Sequence, residues 1–318
     1  PNQPEAIPYI TSYYKERWGF CLTHEQRESL EEGTYEVMID SDLSSGFLSF
    51  GDVLIKGKSE EEILISTYTC HPSMANNETS GITVATMLAK WVMENAPLQH
   101  SYRFVFAPET IGPLVYMSEK LTHLKSNVIA AFNITCVGDE RGYSFLPSKS
   151  GDTITDRVAN HVLKYNGPDY TIYDFINHRG SDENQYASPG VDLPIVSIMR
   201  TKYGCYDEYH TSKDDLNLIS GQGLKGAFDV HTQCFEIFNK LKPLQSKVIG
   251  EPWYSKHGLR PTLGGQGYDM DTINKYANIM MYADGRNNLL DIAEKMKIPV
   301  WDLFSQYDDL CKANLIKS

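Results

Sequence analysis

Apolar residues recur along this chain with three different periods, and the places where the period changes divide it. Residues 34–40 and 46–55 alternate apolar and polar positions, the two-residue period of antiparallel strands. Residues 63–68 are a short continuous apolar run rich in β-branched side chains, the signature of an inner parallel strand, and residues 81–92 then carry apolar positions at helical spacing. Strand and helix go on alternating: a strand at 102–106, a helix near 114–124, a strand at 128–134, a helix around 153–164, strands at 170–176 and 194–199, and a long helix from about 224 to 241. Such alternation predicts an α/β domain with a mixed, mainly parallel sheet and helices on both faces. After the loose segment 243–252, residues 271–282, 288–296 and 300–311 read as three short helices split by Asp284-Gly285 and Ile298-Pro299. The expected division is a partial small β-rich domain over 1–60, the α/β domain over 61–245 and a helical unit over 246–318.

Composition narrows the classes. Apolar content of 41% and charge of 22% over 318 residues are ordinary for a globular protein. No run approaches the ~18 apolar residues that cross a bilayer, so no membrane association is expected. The net charge of -12 argues against a general nucleic-acid binder, because affinity for the phosphate backbone comes from Lys and Arg. The tail alone, from Asp269 onward, has eight acidic against six basic residues, which favours protein contact over DNA reading by its three helices. Six scattered cysteines without a CxxC pair are expected to be reduced thiols of a cytoplasmic protein. The opening Pro1-Asn2-Gln3-Pro4, without Met or a first strand, reads as the start of a fragment.

The candidate chemistry lies in loops at strand ends, where open α/β sheets bind ligands. Cys70-His71-Pro72-Ser73-Met74-Ala75-Asn76-Asn77-Glu78-Thr79-Ser80-Gly81 follows the first inner strand, Ala107-Pro108-Glu109-Thr110-Ile111-Gly112 follows the next, and two more polar loops run over 179–186 and 206–216. Taken singly each is weak. Cys70 reads as a small apolar residue ending a strand, and His100, His123 and His257 as structural or solvated.

Taken together the loops resemble the zinc aminopeptidase family with the phosphorylase/hydrolase-like α/β fold. His71, the Asn76–Gly81 loop, Glu109-Thr110-Ile111-Gly112, Ser181-Asp182 and Tyr209-His210-Thr211 fall in that family's order and spacing. The chain is more similar still to an uncharacterised bacterial branch with a small inserted β domain and a C-terminal winged-helix unit, and on that view an N-terminal portion is absent.

The resemblance implies metal ligation by His71 and His210, Glu109 as general base, Tyr209 as a donor to the oxyanion and Asp182 as a residue that orients ligands. The family's bridging carboxylate, however, falls at Asn77, its second Glu at Thr110 and a further Asp at Thr135. Amide and hydroxyl oxygens are poor substitutes for anionic zinc ligands, so the expectation is a reduced site with one zinc ion. Its third ligand is expected to be Glu78, with Asp182 or Asn77 as alternatives. The expected activity is a metal-dependent aminopeptidase or related amide hydrolase acting on a peptide or small amide; the alternative is a binding protein that kept the fold and lost the site. A protein partner or a second copy is expected at the β segment or the tail.

Overall fold

The computed structural model describes residues 2–12, 15–71, 73–167, 169–260 and 269–317. Seven strands form one sheet: β1 (Gly51–Ile55), β2 (Glu62–Tyr68), β3 (Ser101–Ala107), β4 (Val128–Asn133), β5 (Ser144–Leu146), β6 (Thr171–Ile172) and β7 (Ile195–Met199). Their order is β1-β3-β2-β4-β7-β5-β6. β3, β2, β4 and β7 are parallel, β1 is antiparallel to β3, and β5 is antiparallel to β7 and parallel to β6. From β2 the chain passes to β3 on one side and then returns across it to β4 on the other. The carboxyl end of β2 is therefore a topological switch point, the usual place for a ligand crevice.

The helices are α1 (Ser80–Asn95), α2 (Ile111–Asn127), α3 (Ile154–Asn166) and α4 (Gly221–Phe238). Every residue of β2 is buried, as its unbroken apolar run requires of a strand covered on both faces. Ile63 and Ile65 pack in one cluster with Val84 and Leu88 of α1, Val162 of α3 and Phe235 of α4. Leu64, one residue out of phase, joins Tyr116 and Leu124 of α2 on the opposite face. Each fully buried Leu or Ile contributes about 1.5–3 kcal/mol, so this central strand anchors the loop that follows it.

The tail holds β8 (Gln245–Ser246), α5 (Met270–Tyr282), α6 (Leu289–Met296), α7 (Phe304–Lys312) and β9 (Ile316–Lys317), with β8 and β9 paired antiparallel. Tyr276, Ile279, Leu290 and Ile292 belong to the same core cluster as Phe235 of α4. Polar ties reinforce the seam: Arg157 of α3 reaches Asp291 at 2.8 Å and Glu294 at 2.6 Å, and Lys240 reaches Asp308 at 2.6 Å. His161 Nε2 accepts the Val300 N–H at 2.9 Å. Among the described residues no helix is long and apolar enough to cross a membrane.

Three expectations of local structure need correction. Residues 34–40 and 46–50 form no strand; Met38, Leu43 and Phe47 stand in solvent, and only 51–55 pairs, onto β3 of the main sheet. Alternation supplies an apolar face, but a strand also needs a partner for its backbone. The strand expected over 170–176 shrinks to Thr171–Ile172 because Asp174 caps a helical turn, accepting the Asn177 N–H at 2.8 Å. β5 has three residues, too few for a period to show.

Candidate metal and catalytic site

Cys70 and His71 leave the carboxyl end of β2, and the chain winds through one π-helical turn, Ala75–Thr79, before α1 begins. Such a turn is rare and characteristic of functional sites. Its free amides are capped from afar by Asp214: Oδ1 accepts the Asn76 N–H at 2.6 Å and Oδ2 the Asn77 N–H at 3.1 Å, with the Tyr206 hydroxyl at 3.0 Å. Gly81 is required just beyond, because a Cβ there would lie 2.5 Å from the Ile134 carbonyl oxygen and 2.7 Å from Thr67 Oγ1. Close approach of α1 to β2 and β4 thus buries Asn76, Asn77 and Glu78 beside His71.

Five loops converge here, and four of them hold a strained residue. Of the seven described non-glycine residues with positive φ, Ser73, Thr110, Cys136 and His210 lie in these loops. Residues held in such conformations gather at active sites, where the surrounding structure over-determines them.

His71 is the hub. Its Nδ1 lies 3.3 Å from Cys70 Sγ and 3.4 Å from Glu78 Oε2, and Glu78 also accepts the His71 backbone N–H. Its Nε2 faces Glu109 Oε2 at 3.6 Å. Glu109 is fixed from both sides: Ser181 donates to Oε1 at 2.8 Å, and its own N–H donates to Cys70 Sγ at 3.1 Å. Asp182 Oδ1 accepts the next amide, Thr110 N–H, at 2.8 Å. The His210 ring stacks on His71 with centroids 5.4 Å apart, and Tyr209 lies nearly parallel to His210 at 3.9 Å. A cleft of about 530 Å³, lined in part by Arg141, Glu208 and Lys213, adjoins the loop that carries this pair.

The charges follow from this packing. Burial opposes a charge on His71, but Cys70 and Glu78 outweigh it and raise the ring to about 10. Burial raises Glu109, with the Ser181 hydrogen bond and His71 pulling the other way. Burial also lifts Asp182 well above the carboxylate range, and neighbouring Glu109 and Glu183 add to that against the Thr110 N–H. His210 is lowered by burial and by His71. Tyr209 is raised by burial, so it holds its proton.

Donors for a metal are present. Cys70 Sγ, one His71 nitrogen and one Glu109 oxygen lie within 4.8 Å of one another, while His210 Nε2 and Asp182 Oδ2 are buried without a hydrogen-bond partner. Orphaned buried atoms of this kind call for a ligand, a proton or an ion. His71, His210 and Asp182 offer the imidazole and carboxylate donors that suit a zinc ion. Beside these donors the Tyr68 hydroxyl lies 2.8 Å from Asn77 Oδ1 and 2.6 Å from Thr135 Oγ1, and Thr135 donates to the Asn77 carbonyl at 2.8 Å. That cluster offers no anionic oxygen.

The family described as "Domain of unknown function (DUF4910)" matches residues 6–240, and the family described as "winged helix-turn-helix" matches residues 242–318. A Clostridium acetobutylicum protein provisionally named a polysaccharide biosynthesis protein with aminopeptidase-like domain is 40% identical over all of this chain and 72% of its own length. The chain belongs to this aminopeptidase-like DUF4910 family. A crystal structure of a candidate peptidase from Clostridium acetobutylicum is 37% identical with a TM-score of 0.88, over 100% of this chain and 71% of that one. More distantly, an aminopeptidase from Aneurinibacillus sp. strain AM-1 (17% identity, TM-score 0.50, 57% and 46% covered) shares the fold. So does a glutaminyl cyclase from an Acidobacteriales bacterium (17%, 0.51, 60% and 74%).

In this DUF4910 member the loops singled out in the sequence do meet. His71, Glu78, Glu109 and Asp182 share one cluster, and Tyr209 and His210 stack against it. Cys70 is a correction: it is half-buried and joins His71 to the Glu109 amide rather than merely ending a strand. Glu183 was missed; it accepts from Gly180 N–H, Ser181 N–H and the Tyr203 hydroxyl, and so fixes the loop that holds Glu109. Its only signal in the sequence was its place beside Ser181-Asp182. Tyr9 gave no signal, yet its ring lies 5.5 Å from His71 and 5.2 Å from His210.

Proposed function

We propose that this chain is a metal-dependent aminopeptidase, or a related amide hydrolase, that works with one zinc ion. The observation that carries the reading is the pair of stacked imidazoles beside a buried carboxylate, with His210 Nε2 left without a partner. His71 and His210 are the ring donors. Glu78, expected from the sequence as the third ligand, lies against Nδ1 of His71 and in this reading orients that ring so that Nε2 is presented, the carboxylate–histidine support common behind metal ligands, while Asp182, the alternative ligand, offers the unpartnered Oδ2 as carboxylate donor. When bound, zinc supplies Lewis acidity that polarises a carbonyl and makes water easier to deprotonate.

The remaining work falls to the chain's own groups. Glu109 is the general base, because burial raises its carboxyl above the ordinary carboxylate value and Ser181 fixes one oxygen while the other faces the imidazole. It takes a proton from attacking water and delivers it to the departing amine. Tyr209 keeps its proton and donates to the oxygen that becomes anionic. Asp182 holds the turn at Thr110, which keeps Glu109 in place. The substrate is a peptide or small amide and the setting cytoplasmic, with all six cysteines free thiols. The tail from Asp269 onward has eight acidic against six basic residues, so in this reading it serves protein contact and not DNA reading.

Glu109→Gln tests the assignment: zinc content and folding are retained while hydrolysis of aminoacyl amides and short peptides falls by about 10²–10⁴. Unchanged turnover would refute the role of Glu109. A second reading, a non-catalytic binding protein, is favoured by the neutral Tyr68, Asn77 and Thr135 cluster. It predicts no hydrolysis by the wild type and no zinc.

A further inference from the structure

We infer that the N-terminal strap, residues 3–9, is part of the metal centre, with Tyr9 as the positioning residue for His210; this rests on the zinc reading given above. His210 sits at φ 54°, a left-handed conformation that costs a non-glycine residue about 1–2 kcal/mol and persists only where neighbours enforce it. The enforcing neighbour is the strap. The Tyr9 N–H donates to the His210 carbonyl at 2.8 Å, and the Ser212 N–H donates to the Ile7 carbonyl at 2.8 Å. Pro8 and Thr211 form an antiparallel bridge between them. The strap thus adds a short strand to the loop that carries the imidazole, and Gln3 Nε2 ties its far end to the Asp207 carbonyl at 2.7 Å.

The side chain completes what the backbone begins. The Tyr9 ring meets His210 edge-on at 5.2 Å and His71 at a tilt at 5.5 Å, so one aromatic surface touches both imidazoles from outside the sheet. A ring wedged against two ligand rings limits their rotation, and limiting it before metal arrives reduces the entropy lost on binding. The contacts that do this are those of the ring.

The test is zinc affinity of the full-length protein by chelator competition, with the visible spectrum of the cobalt-substituted form as a second readout. Tyr9→Ala is expected to weaken zinc about 10- to 100-fold, the usual cost of losing a residue that orients a ligand, and to alter the cobalt bands. Tyr9→Phe is expected to restore both to within about twofold, and the metal-free melting temperature of the two variants to agree. Equal zinc affinity in wild type and Tyr9→Ala overturns the strap's role and leaves the hydrolase reading standing. A Tyr9→Phe protein as weak as Tyr9→Ala overturns the ring argument. A wild type that binds no zinc overturns this inference and the zinc reading together.

Discussion

Removal of the Asp214 carboxylate should loosen the first ligand loop before it unfolds the domain. Asp214 is fully buried and its two oxygens accept three donors, the Asn76 and Asn77 amides and the Tyr206 hydroxyl. A hydrogen bond to a charged group is worth about 1.5–3 kcal/mol, but burial itself opposes the charge and raises this carboxyl, so the gains are partly offset. Asp214→Ala leaves two buried amides at the start of the π-helical turn unsatisfied and should cost about 4 kcal/mol. Asp214→Asn keeps one acceptor oxygen and should cost about half as much. Urea denaturation gives the total, and hydrogen exchange at amides 75–79 gives the local opening, which should rise before exchange in β2 does. A loss below about 1 kcal/mol for the Ala variant, or unchanged exchange at 76 and 77, would show that Asp214 does not hold this turn.

Other consequences are separable. Gly81→Ala should destabilise by about 3 kcal/mol and loosen zinc, because the new methyl meets a backbone oxygen that cannot move aside; a near-neutral melting curve would count against it. Burial, aided by Lys164 and Arg157, holds His161 down at about 4, so the folded state favours the neutral ring. That stability is complete above the unfolded value near 6.5 and is lost as pH falls toward 4, about 2 kcal/mol by pH 5 before solvent screening and about 1 after it. His161→Gln, which still offers an acceptor to Val300 but does not titrate, should lose correspondingly less stability between pH 7 and pH 5, and an identical pH profile would refute the contact's importance. Glu78→Gln should weaken zinc about tenfold while Glu109→Gln does not, measured by chelator competition.

The central architecture was legible because its signals are local. The apolar run at 63–68, the polar loop after it and the helical spacing from 81 are written in consecutive residues, and burial on both faces of β2 demands that pattern. The failures had a common cause: they concern what lies opposite. Residues 34–40 alternate as a strand should, but the period says nothing of a partner. Cys70 looks like a core residue until the Glu109 amide is seen to point at its sulfur. Glu183 acts through the nearby Gly180 and Ser181 amides as well as the distant Tyr203, and Tyr9 through imidazoles remote in sequence, and a solvated loop or a terminal aromatic reads the same whether or not a site lies beneath it. Asn77, Thr110 and Thr135 in the sequence are where the proposal of one zinc and not two starts. That Tyr68 links Asn77 and Thr135 was not visible there.

Zinc stoichiometry decides the main claim. Purified full-length protein equilibrated with zinc and freed of excess should carry one ion per chain, and His71→Ala and His210→Ala should each abolish it. Two ions per chain would contradict the neutral Tyr68 cluster as the reason for a single site, and none would contradict the metal centre itself.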